Sequence, residues 1–118
     1  MIGLNLHLLR QANTARLPLF KNAKGELAHK NKDGSDWSLN DWMTALMGEV
    51  GETANLLKKV RRGDFDLEYI RPKLEGEISD IAIYLDLLAK AGNVDLAAAI
   101  IRTFNAKSDE LGIPVRIE

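Results

Sequence analysis

Four carboxylates are the residues of this chain best suited to chemistry: Glu49 and Glu52, three apart, and Glu77 and Asp80, again three apart. Residues three apart in an α-helix share a side. If both segments are helical, at about 100° per residue Glu49 and Glu52 flank the apolar stripe of theirs. Glu77 and Asp80 share an edge with Lys73 and Tyr84, next to Ile81. Four carboxylates held together beside a core cannot all stay ionised unaided, because desolvation and mutual repulsion both raise the free energy. A hard divalent cation removes the conflict. An all-oxygen donor set suits Mg²⁺, with Mn²⁺ as a substitute, and Mg²⁺ completes its shell with water and phosphate oxygens. Either pair alone is equally a solvated helix face; two pairs on neighbouring helices are what point to a metal.

The elements that must position them are helical. A first helix is expected over about Leu4 to Leu17, with Leu6, Leu9 and Ala12 at helical spacing and Pro18 ending it. From Leu19 to Trp37 the composition turns to Lys, Asn, Gly, Asp and Ser, reading as a long surface loop or a lid. Ser38-x-x-Asp41 forms a capping-box signature. The helix behind it runs to about Arg62, with Leu39, Met43, Leu46, Val50 and Leu57 on one stripe and Gly63 beyond its end. A connection over Asp64 to Arg71 leads to a third helix with Pro72 in its first turn and Gly92 at its stop. That helix is apolar nearly all round, through Leu74, Ile78, Ile81, Leu85 and Leu88 and, opposite them, Ile83 and Leu87; it should be central. Asn93 is the expected cap of a fourth helix, about Val94 to Leu111, ended by Gly112 and Pro114. The short second connection makes the two carboxylate helices antiparallel neighbours, with the two pairs at similar height. No two-residue alternation and no internal repeat is read. The expected fold is all-α, one domain over 1–118: an antiparallel bundle of about four helices, completed by homo-oligomerisation because its apolar faces outnumber what one chain covers.

Composition narrows the function classes. The 118 residues carry a formal net charge of -1, so no overall basic field points to nucleic acid. There is no cysteine, which excludes thiol catalysis, cysteine-ligated zinc and a disulfide framework. Met1 to His7 shows no basic region followed by a long apolar run. The stretch from Ile81 to Ala91 is short and interrupted by Asp86 and Lys90. A cytoplasmic protein without membrane or nucleic-acid partners is expected.

The run Trp42-Met43-Thr44-Ala45-Leu46-Met47-Gly48-Glu49-Val50-Gly51-Glu52, then Lys58-Lys59, Arg62-Gly63-Asp64 and Glu77-Ile78-Ser79-Asp80, resembles the MazG-like all-α nucleotide pyrophosphohydrolases. The resemblance covers Trp37 to about Leu111 and rests on the ordered combination of ExxE and ExxD. It implies Mg²⁺-dependent cleavage of a nucleoside triphosphate between the α and β phosphates, releasing a monophosphate and pyrophosphate in nucleotide-pool house-cleaning. By the same resemblance Glu49, Glu52, Glu77 and Asp80 are metal ligands, Glu52 deprotonates the attacking water, and the chain forms dimers or pairs of dimers. Many members carry a further glutamate where Gly48 stands, which leaves one or two ions open. The alternatives are a dUTPase-like or phosphoribosyl-ATP-type specificity on the same scaffold, or a non-catalytic nucleotide- or metal-binding module.

Substrate contacts extend from there. Lys59, seven residues after Glu52, falls on the carboxylate face, where an ammonium could hold a phosphate; equally, it is a solvated cation at a helix C-terminus. Asn105 and Lys107 resemble a late Asn/Lys element that touches nucleotide in relatives. Asn13 and Arg16 could reach phosphates from the first helix, but read more simply as surface residues. Trp37 is either a hydrophobic staple or a base-stacking platform. His7 and His29 have no ligand-like spacing and read as ordinary polar residues.

Overall fold

A computed structural model describes residues 3–118; of the N-terminal stretch read above, Met1 and Ile2 lie outside the described residues. The chain is all-helical: α1 (Leu6–Arg16), α2 (Leu39–Arg61), α3 (Leu67–Ala91) and α4 (Leu96–Leu111), with a 3-10 turn at Leu17–Leu19 and no strand among the described residues. No helix is long and apolar enough to cross a membrane.

Each helix starts on a side-chain cap that satisfies amides left over in its first turn. Asn5 accepts from the Leu8 N–H, and Ser38 and Asp41 exchange hydrogen bonds as a full capping box. Two starts differ from the sequence expectation. Helix α3 begins at Leu67, where Asp66 accepts from the Tyr69 N–H, and so Pro72 lies inside the helix instead of in its first turn. A proline there forfeits one intrahelical bond, which the packing of so long a helix outweighs. Helix α4 is capped by Asp95, which accepts from the Ala98 N–H. Asn93 instead takes a left-handed φ of 60° in the turn after Gly92, a conformation asparagine tolerates better than most residues.

The segment between the 3-10 turn and α2 is ordered, and it contains a repeat that sequence reading missed. Residues 20–28 and 29–37 follow the same pattern, with Lys-Asn at 21–22 and 30–31 and glycine at 25 and 34. Their backbones match. Asn22 N–H donates to Glu26 O at 2.8 Å and Asn31 N–H to Ser35 O at 2.9 Å. Gly25 N–H donates to Asn22 O and Gly34 N–H to Asn31 O, and bridges join Lys21 to Leu27 and Lys30 to Asp36. Both glycines have φ near 80–90° (79° and 87°), which closes each turn without steric cost. The segment is thus two tight turns in tandem.

Helix α3 is central, as expected: it packs on α2 along one side and on α1 along another. The connection from α2 to α3 is too short for anything but an antiparallel pair. The buried apolar residues are Trp42, Leu46 and Leu56 on α2 and Ile70, Leu87 and Ala89 on α3. All-round burial of α3 is not met within one chain, since Ile78 and Leu85 stay exposed. Helix α4 packs chiefly on α1 and leaves Ile100, Ile101 and Phe104 exposed. The result is an open shape, with a radius of gyration of 17.4 Å against about 13–14 Å for a compact domain of this length.

One polar cluster ties α1 to α3. Asp86 is fully buried, accepting from Arg10 Nε at 3.0 and 3.2 Å and from Asn13 Nδ2 at 3.0 Å. Arg10 also donates to Val94 O, bringing in the turn before α4. Asn13 is therefore a buried structural residue, not a surface or phosphate-binding one.

Candidate metal centre and aromatic cavity

Helix α2 presents Glu49 and Glu52, and α3 presents Glu77, so that one carboxylate oxygen of each lies within 4.8 Å of the others. Asp80 is not part of this close trio, but its charge reaches both Glu49 and Glu77. Burial, followed by the charges of Glu52, Asp80 and Glu77, pushes the Glu49 carboxyl above the ordinary carboxylate range. Glu77 is pushed up as well, first by desolvation and then by the Glu52 side chain and charge; Lys73 opposes this. Glu49 Oε2 and Glu77 Oε2 are buried without a hydrogen-bond partner. Buried carboxylate oxygens are costly to leave unpaired. Two orphaned oxygens within a three-carboxylate group form a donor set that fits a hard divalent cation bound by oxygen alone.

Beside the carboxylates stands an aromatic cluster whose key member went unrecognised in the sequence. The His29 ring, from the second turn of the tandem, stacks on Trp42 at 5.3 Å and meets Phe20 and Trp37 edge-on at 5.0 and 5.2 Å. Its Nε2 lies 3.0 Å from the Tyr84 hydroxyl, while Nδ1 is buried without a partner. Burial, and secondarily the Arg16 charge, lowers the His29 pKa. Tyr84 is pushed up by burial and then by the charges of Glu49 and Asp80. His29 had no local signal, because its partners lie on α2 and α3. The Lys-Asn-x-x-Gly spacing of the tandem was the one available clue that this stretch is structured.

Trp37 meets Trp42 at 4.9 Å. These are the positions before the cap and in the first turn that a hydrophobic staple joins. Both rings also line a cavity of about 460 Å³ together with Leu17, Pro18, His29 and Leu87. Staple and platform are therefore not exclusive. Arg16, exposed at the end of α1, is near enough for its charge to act on His29 and Tyr84. Lys59 is half-buried on α2 and makes no ion pair among the described residues.

Asn105 and Lys107 are not brought to the carboxylates within one chain. The Asn105 side chain is engaged in both directions with the Ile117 backbone, at 2.9 and 2.8 Å, pinning the C-terminal segment to α4. Lys107 pairs with Glu110 at the surface at 2.9 Å.

Comparison with known protein families, curated proteins and solved structures finds no match to this chain.

Proposed function

We propose that this chain is a Mg²⁺-dependent nucleoside triphosphate pyrophosphohydrolase of the MazG-like kind, acting in nucleotide-pool house-cleaning. The observation that carries the reading is the pair of orphaned oxygens, Glu49 Oε2 and Glu77 Oε2, inside a carboxylate group shared by the paired helices α2 and α3. Glu49, Glu52, Glu77 and Asp80 would hold the ion. When bound, Mg²⁺ lowers the pKa of its water and offsets the charge on the triphosphate. The flat base enters the cavity between Trp37, Trp42 and His29, where stacking on aromatic faces holds it. The unpaired His29 Nδ1 offers it one hydrogen bond. Glu52, the exposed member of the carboxylate trio, takes the proton of the water that attacks the α-phosphorus. The bond from that phosphorus to the bridging oxygen breaks, and pyrophosphate leaves.

In this reading a second copy covers the open faces. The chain exposes 8690 Å², against about 6400 Å² expected for a compact monomer of its mass. That excess is of the size a large permanent dimer interface removes from each partner. The exposed residues that supply it include Met43 and Met47 on α2, Ile78 and Leu85 on α3, and Phe104 on α4.

The test is pyrophosphate release from a panel of ribo- and deoxynucleoside triphosphates with and without Mg²⁺. Glu52→Gln and Asp80→Asn should abolish release in variants that still unfold cooperatively. Full turnover in either variant would end the assignment, and Mg²⁺-dependent nucleotide binding with no pyrophosphate released would leave a binding module instead.

A further inference from the structure

The segment from Phe20 to Trp37 is closed on itself. Its hydrogen bonds run between its own residues, apart from Phe20 N–H to Leu17 O in the adjoining 3-10 turn. Its ion pair, Lys30 with Asp36 at 2.6 Å, is internal too. Among the described residues, a single hydrogen bond ties it to a helix: His29 Nε2 with the Tyr84 hydroxyl of α3, at 3.0 Å. Otherwise rings make the join. His29 stacks on Trp42 of α2 at 5.3 Å, and Trp37 meets Trp42 at 4.9 Å. Through Leu27, His29 and Trp37 the segment lines the aromatic cavity together with Leu17, Pro18 and Leu87. Both turns keep their internal bonds if the segment lifts away, so the hydrogen bond at His29 is the one that opening must break.

We propose that His29 is a proton-operated latch: its neutral ring fastens residues 20–37 over the aromatic cavity, and protonation releases them while the four helices stay folded. The latch needs neither metal nor nucleotide and stands apart from the pyrophosphohydrolase reading. An imidazolium carries a donor on each nitrogen. Tyr84 can accept from one, but Nδ1 is buried where no acceptor meets it. The charged and titratable groups around the ring are Arg16 at the end of α1, Tyr84 and Lys90 on α3, and Lys30 and Asp36 of the segment itself. Helix α2 meets it with the uncharged Trp42. Glu49 and Glu52 of α2 and Asp80 of α3 act on Tyr84 by charge, and none accepts a hydrogen bond from the ring. The face of Trp42 favours a cation, but burial and the Arg16 charge oppose one and lower the His29 pKa. In the released segment water solvates the ring and its ordinary value returns. The released form therefore binds the proton first as pH falls, and it gains up to about tenfold per pH unit below about 6.5.

The test is acrylamide quenching of intrinsic fluorescence in the metal-free full chain, from about pH 7.5 to about pH 5.5, with far-UV circular dichroism on the same samples. The two tryptophans, Trp37 and Trp42, both touch the His29 ring, and Trp42 is only 5% exposed while the segment is closed. The quenching constant should climb as pH falls, the open-to-closed ratio rising up to about tenfold per pH unit, while the helical signal holds. His29→Gln, whose amide can still meet Tyr84, and His29→Phe, which refills the ring position, should each give a flat profile. Tyr84→Phe should move the climb to higher pH, and His7→Asn, outside the cluster, should leave it as in the wild type. A flat wild-type profile, a climb that survives in both His29 variants or vanishes in His7→Asn, an unmoved climb in Tyr84→Phe, or loss of helix over the same range would overturn the latch.

Discussion

Asp86→Asn is the substitution for which the structure dictates the largest loss of stability at the least change of shape. Asp86 is fully buried and takes three hydrogen bonds from Arg10 and Asn13. The amide removes the charge that holds the Arg10 guanidinium and turns one acceptor into a donor facing other donors. Removing one partner of a buried pair costs about 3–5 kcal/mol. The Arg10 side chain keeps 27% exposure, so water recovers part of its loss, and the lower end, about 3 kcal/mol, applies. For a chain of this size that corresponds to a fall of about 10–15 °C in Tm. The assay is thermal unfolding by circular dichroism at fixed protein concentration. Glu110→Gln, which breaks the exposed Lys107–Glu110 pair, serves as the control and should shift Tm by about 1 °C or less. Replacing both partners by apolar residues, Arg10→Met with Asp86→Leu, should recover most of the loss, because no charge is then left buried and alone. A fall below about 4 °C for Asp86→Asn would refute the reasoning.

Two other outcomes follow from the site and the open faces. Glu49 and Glu77 have raised pKa values, so the folded state takes up their protons before the unfolded state does. Metal-free stability from these groups is therefore gained as pH falls from neutrality toward the ordinary carboxylate range and lost as pH rises. Mg²⁺ needs the ionised forms, so the rise in Tm it produces should grow with pH across that window. His29 acts in the opposite sense, its lowered pKa withdrawing stability as pH falls through the ordinary histidine value, but it cancels when samples with and without Mg²⁺ are compared at each pH. A Mg²⁺ effect that is flat with pH would remove the carboxylates as ligands. Light scattering should give at least twice the 13.1 kDa chain mass, and Phe104→Asp on the exposed face of α4 should lower it; a monomeric wild type would refute the covering copy.

Much of the local architecture was legible because its causes are local. The capping box at Ser38 and Asp41 satisfies amides within its own turn, and ExxE and ExxD each fix a shared helix side whatever surrounds them. Where two local signals competed, sequence reading chose wrongly: Asp66 outranked Pro72 as the start of α3, and Asp95 outranked Asn93 for α4. A side-chain oxygen that caps three amides ahead sets the boundary, while a proline or a turn asparagine is merely tolerated near it.

What the sequence by itself determined is the set of helices and the arrangement of three carboxylates on two of them, since spacing and a short connection leave little freedom. Tertiary structure alone decided the rest. Asp86 looked like an interruption in a greasy helix until Arg10, 76 residues away, supplied its counter-charge. His29 looked ordinary until Trp42 and Tyr84 closed on its ring. Asn105 matched a substrate-binding pattern, yet its amide is engaged by the chain's own C-terminal segment. In each case the partner lies on another element, and a polar group's role is set by what faces it after folding.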